Sequence, residues 1–260
     1  ESKLKVGVLS VSAFLLWVGA FVLFYAGFRW LSRFGYDPNS NMQSIGDIIM
    51  VRMLSVFSLS IFLMLIFSNV LVSFSTLYRS KEVNYLLQAP MSFGEFFIAR
   101  FVECIVFSSW ALAFLGTPLL LAYGLVRHAP PAFYIASVAF YLPFVIPPAA
   151  IGAIITITLT RIFPRIHPRT LILLGVLAVA ALFYYIHNIL NAQKLSDDNF
   201  LPFVLDATVR TQSPFLPSYW AARGVLAAAT RDYRECIFQF LLLSSNALLL
   251  FWLATEYAHR

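Results

Sequence analysis

Long apolar runs alternate with short polar ones along this chain, and the lengths of those runs predict membrane helices. Val6 to Trp30 is almost uninterrupted apolar sequence. At about 1.5 Å per residue, its roughly 25 residues cross a ~30 Å hydrocarbon core with some tilt. Arg29, Trp30 and Arg33 form an interfacial anchor behind it, and Asp37-Pro38-Asn39 is a turn. A second span runs from about Ile48 to Phe74, with Arg52 near enough to its end to snorkel outward. A third covers roughly Phe101 to Leu125, with Glu103 near its start, and closes in the tight turn Arg127-His128-Ala129-Pro130-Pro131. The fourth, about Phe133 to Leu159, contains Pro143, Pro147 and Pro148, each removing a backbone donor, so this helix is expected to be kinked or broken. Thr170 to Asn191 is the fifth span and Phe238 to Ala258 the sixth. Before the sixth, Ser218 is expected to cap a segment reaching Ala229 that is half the length of a span and fits a re-entrant or interfacial helix.

The longest polar interruption, Tyr78 to Arg100, reads as two helices end to end. Ser80 can cap the first, and Glu82 suits the positive end of its dipole. Val83, Leu86, Leu87 and Pro90 fall at i, i+3, i+4 and i+7, while Lys81, Asn84 and Gln88 share the other side. This helix is too short to span a bilayer. Pro90 ends it, and Ser92 with Glu95 forms a capping box that starts the next helix before an apolar run. A short amphipathic helix at the water interface, joined rigidly to a span, is the result.

The order Glu82, Leu86, Leu87, Pro90, Ser92, Glu95, Arg100 resembles the coupling-helix region of ABC-2 type transporter permeases. An interfacial helix that merely orients the next span is the plainer reading of the same residues. The resemblance implies an all-α membrane protein of six transmembrane helices, with a short cytoplasmic coupling helix between spans 2 and 3 and a short helix before span 6. It also implies that Lys81, Glu82, Val83, Leu86, Leu87 and Pro90 dock on a separate ATPase subunit, and that a second permease unit completes the transporter. On that basis ATP and Mg are expected in the partner ATPase, none being bound by this chain, which is expected to be a transport subunit and no enzyme. Spans two and five border the path in that family, which implies Asn69, Phe183, His187 and Asn191 as lining residues. His187 and Asn191 share a helix face where a ligand or a proton could be held, yet interfacial residues turned to water are the better account of them.

Composition sharpens the class. The chain has 260 residues, 60% hydrophobic, 17% aromatic and only 12% charged, half the roughly 25% charged residues of a soluble domain. One membrane domain over residues 1–260 is expected. The net charge of +6 comes from basic residues spread singly, which suits lipid head groups and excludes a nucleic-acid face. Arg161, Arg165 and Arg169, with His167, make the most basic short loop and place it in the cytoplasm; by parity the termini and residues 81–90 share that side. The expected location is a bacterial cytoplasmic membrane. No initiating Met begins the sequence, which suggests a piece of a longer protein.

Catalytic motifs are scarce. No Gly-Lys dipeptide occurs, so the chain has no P-loop, and it has no H-E-x-x-H and no G-x-S-x-G. The spacing through His187 loosely resembles intramembrane metalloproteases of the CAAX-processing type, which need a paired-glutamate motif missing here. No metal site is expected from Cys104 and Cys236, which read as small buried residues. A secondary transporter or channel working without ATP is the remaining alternative.

Overall fold

Helix length follows the apolar runs. The computed structural model describes residues 2–33, 45–78, 93–162, 170, 184 and 213–259. Six helices carry most of them: α1 Ser2–Leu31, α2 Ile45–Tyr78, α3 Phe93–Val126, α4 Pro131–Ile162, α5 Pro217–Ala229 and α6 Tyr233–His259. Four are long and apolar enough to cross a membrane, at Gly7–Leu31, Gly46–Phe74, Pro131–Ile162 and Tyr233–His259. The segments Phe97–Trp110 and Leu112–Val126 of α3 make a fifth when taken as one span. The expected fifth span, apart from Thr170 and Tyr184, and the expected coupling helix lie outside the described residues.

Two local expectations are corrected. Of the kink or break expected at the prolines, it is the break that does not occur: α4 is helical from Pro131 through Ile162. A proline's φ is already helical, so the loss is one donor and a freed carbonyl; Pro147 and Pro148 are fully buried, and surrounding protein covers that site. Ser218 does not cap α5. Leu216 is the N-cap and Pro217 occupies the first helical position, its missing N–H being one that no helix satisfies there.

Two corners are built alike. At the end of α3 the Ala129 N–H donates to Gly124 and the His128 N–H to Leu125; at the end of α5 the Asp232 N–H donates to Ala227 and the Arg231 N–H to Ala228. This is the Schellman arrangement, with His128 (φ 49°) and Arg231 (φ 64°) in the left-handed region. Asp232 then caps α6 by accepting from the Glu235 N–H at 3.2 Å.

The chain divides into two compact units. Unit 1 comprises Glu1–Ile61, Ser109–Phe144 and Pro214–Ser244. Aromatic pairs hold it: Phe24 on Phe57, Phe28 on Tyr123, Tyr123 on Phe133 and Phe140 on Phe240, with centroids 5.3 to 5.9 Å apart. Asp47, in the first turn of α2, pairs with Arg127 at 2.5 Å. The α5–α6 corner is tied by Arg223, which donates to the Tyr219 hydroxyl and meets Glu235 at 2.7 Å. Gly224 faces Phe140 so closely that any Cβ there would collide with the ring.

Unit 2 comprises Phe62–Ser108, Val145–Ser213 and Ser245–Arg260. Its core sets Phe97 and Phe101 against Ala149, Ala150, Ala153 and Ile157 of α4 and Ala254 and Ala258 of α6. Alanines let helix backbones approach, which matters where lipid supplies no hydrophobic drive between helices. Arg161 closes this unit, lying 4.9 Å over the Tyr257 ring and donating to the Tyr257 carbonyl at 3.2 Å.

The tightest approach in unit 2 is Gly152 against Asn69. A Cβ at Gly152 would stand 2.7 Å from the Asn69 Cβ and 3.1 Å from the Asn69 and Val70 backbone. Gly152→Ala is therefore expected to cost about 1–3 kcal/mol by overpacking. Gly19→Ala, with nothing within 4 Å, is expected to leave stability equal or slightly higher. Thermal unfolding of both variants in detergent checks the contrast.

Candidate functional site

Unit 1 holds a partly open cavity of about 390 Å³. Four helices shape it. Leu54, Ser58 and Ile61 come from α2, one helical turn apart; Leu112, Gly116 and Leu120 repeat at i, i+4 and i+8 on α3; Tyr134, Ser137 and Tyr141 do so at i, i+3 and i+7 on α4; Ala221, Ala222 and Val225 close it from α5. Gly116 and the two alanines leave the space open, since a Cβ on Gly116 would meet only the flexible Leu112 side chain, at 3.3 Å.

Several hydroxyl groups line this cavity, and most are already engaged. Ser58 donates to the Ser218 carbonyl at 2.9 Å, Ser137 to Phe133 at 2.8 Å, Tyr141 to Ser109 at 2.6 Å and Thr117 to Ala113 at 2.5 Å. Thr117 also accepts from the Trp17 indole at 3.0 Å. Among the described residues, none that lines the space is charged. The cavity therefore presents hydrocarbon and engaged hydroxyls, a surface suited to apolar groups.

A second polar feature lies within unit 2. Asn69 (0% exposed), Ser73, Cys104, Ser108 and Thr156 are all buried. Thr156 donates to Gly152 at 2.8 Å and approaches the Val70 carbonyl at 3.2 Å, and Ser73 reaches the Cys104 sulfur at 3.5 Å. Asn69 Nδ2 donates to Leu65 at 2.8 Å, whereas its Oδ1 accepts no hydrogen bond. Asn69, one of the sequence-predicted path residues, thus sits inside helix packing against Gly152. The other predicted site residues, Lys81, Glu82, Val83, Leu86, Leu87, Pro90, Phe183, His187 and Asn191, lie outside the described residues. Among the described residues, no group of three or more His, Cys, Asp and Glu side chains is placed to hold a metal ion.

The model of the family described as "Putative ATP-binding cassette" matches residues 1–260. The chain belongs to this family. No curated protein and no solved structure matches it. Membership confirms a relation to ABC transporters and to the partners such transporters use, and it overturns several expectations. The family is not the ABC-2 permease family that the Glu82-to-Arg100 pattern resembles. Its description attaches ATP binding to this chain, so the expectations of a permease half-unit without an ATP site, of no enzymatic role, and of ATP and Mg held only by a partner ATPase are withdrawn. The pattern misled because an amphipathic helix, a proline and a capping box make a corner that many membrane proteins use.

The cavity does not itself fit a nucleotide. Phosphates need backbone N–H groups of a glycine-rich loop and a free cation. The one cavity described above has no cation in its lining.

The cavity escaped the sequence because its lining is leucine, alanine and glycine, the ordinary material of a membrane helix. Its hydroxyls carry the testable energy. Tyr141→Phe deletes the 2.6 Å bond to Ser109 and is expected to lower stability by about 0.5–1.5 kcal/mol, read as a lowered midpoint of thermal unfolding in detergent.

Proposed function

We propose that this chain is a membrane-embedded working part of an ATP-binding cassette transporter. The observation that carries the reading is the family match over residues 1–260 of a chain whose described helices include four of membrane length, or five with α3 taken as one span. Mean composition agrees, with 60% hydrophobic residues.

The finer layout belongs to the same proposal. Six spans put both termini and the basic loop at Arg161 to Arg169 on the cytoplasmic side of an inner membrane. The segment from Ser80 to Ala89 works as the coupling helix: Glu82 and Lys81 make charged contacts to a partner subunit of the transporter, while Val83, Leu86 and Leu87 hold the helix against apolar surface. Pro90 and the Ser92 cap pass its tilt to the next helix. A second copy of this chain, or the other half of a longer one, completes the assembly. Asn69, Phe183, His187 and Asn191 face the route taken by the transported molecule.

Glu82→Lys and Leu87→Asp test the coupling role. In vesicles containing the chain and its partner subunits, both changes are expected to lower ATP-driven activity severalfold while the helical circular dichroism stays at the wild-type level. Undiminished activity in both variants contradicts the docking assignment.

A further inference from the structure

We propose that the unit 1 cavity is a binding site for a single alkyl chain belonging to a membrane lipid or another amphiphile. The site goes beyond the transport reading, because it needs neither nucleotide nor partner subunit.

Three observations carry it. The volume, about 390 Å³, falls in the range of ~300–1,000 Å³ typical of ligand pockets. Four of the five hydroxyls in the wall, those of Ser58, Thr117, Ser137 and Tyr141, donate to carbonyls of the protein itself, with Tyr134 the fifth, and among the described residues no charged side chain lines the wall. A ligand with several buried polar atoms would lose more water bonds than the Tyr134 hydroxyl and the remaining lone pairs could replace, whereas an alkyl chain loses none. Finally, the lining belongs largely to helices of membrane length, and the outer surface of α4 beside it is apolar too, with Ile135, Val138 and Leu142 exposed at 70, 77 and 62%. Hydrocarbon is the medium such a surface meets, so alkyl chains are the molecules present in quantity at that depth. The polar end of the amphiphile stays outside the cavity, which offers a charged head group no charged partner among the described residues.

The test uses the whole chain in phosphatidylcholine nanodiscs with two probes, a phosphatidylcholine and a free fatty acid, each carrying a diazirine in the alkyl chain. After photolysis, labelled peptides are mapped by mass spectrometry. Labelling is expected on Leu54, Leu120 or Val225 and is displaced by excess unlabelled fatty acid or lipid, unlike the diffuse labelling of exposed α1 positions such as Leu15. Label from the phospholipid probe identifies a bilayer lipid as the occupant; label from the fatty acid alone identifies a diffusing amphiphile. Gly116→Phe and Ala222→Leu each fill the space, and each is expected to reduce displaceable labelling about tenfold, equivalent to about 1.4 kcal/mol. Wild-type protein in which no lining residue is labelled above α1, or in which no label is displaceable, overturns the site whether or not the variants fold. Wild-type labelling retained in both folded variants overturns it as well. Neither result depends on ATP, so failure here leaves the transporter assignment standing.

Discussion

Hydrocarbon supplies no hydrogen bonds, and that single constraint organises what this chain does with its polar side chains. Hydroxyls turn back on their own helices: Ser60 to Val56, Ser137 to Phe133, Thr158 to Ile154 and Thr255 to Phe251, each four residues earlier and at 2.8 to 2.9 Å. Charges pair locally, as Arg100 does with Glu103 three residues on. Once polar groups are satisfied in this way, helices meet through size alone, and glycine and alanine decide where they approach. Gly152 admits Asn69 in unit 2, and Gly224 admits Phe140 in unit 1. The same economy of polar groups leaves the unit 1 cavity apolar, since each small residue that makes space contributes nothing to hydrogen-bond with.

The sequence made α1, α2, α4 and α6 legible because length and hydropathy are decided locally, and the expected spans agree with the helices to within a few residues. The prolines of α4 were misread because a donor count predicts strain but not where neighbouring protein absorbs it; Pro147 and Pro148 are buried, and the helix continues. Ser218 was misread as a cap because the serine preference is strong, yet Pro217 directly before it fits the first helical position better and Leu216 takes the cap. One corner was half legible: Arg127 to Pro131 was expected as a tight turn, but the left-handed backbone of His128 had no glycine to announce it.

The candidate site was the least legible part. A cavity made by Gly116, Ala221 and Ala222 among leucines has no residue whose chemistry stands out, and the bond from Ser58 to Ser218 joins positions 160 apart. The polar residues that did stand out pointed elsewhere. Of the four proposed for the path only Asn69 is described, and it is packed against the Gly152 backbone with one oxygen unmatched. The pattern from Glu82 to Arg100 led to ABC machinery, which the family supports, and to the wrong branch of it.

The account stands on α4 lying in hydrocarbon with its exposed face turned to lipid. Spin labels placed singly at Ile135, Val138 and Leu142 in liposomes measure this through collisions with oxygen, which concentrates in hydrocarbon, and with a water-soluble nickel chelate. The account predicts that oxygen collisions exceed nickel collisions at Val138 and Leu142. Nickel collisions dominating at those two positions would place the helix in water and contradict it.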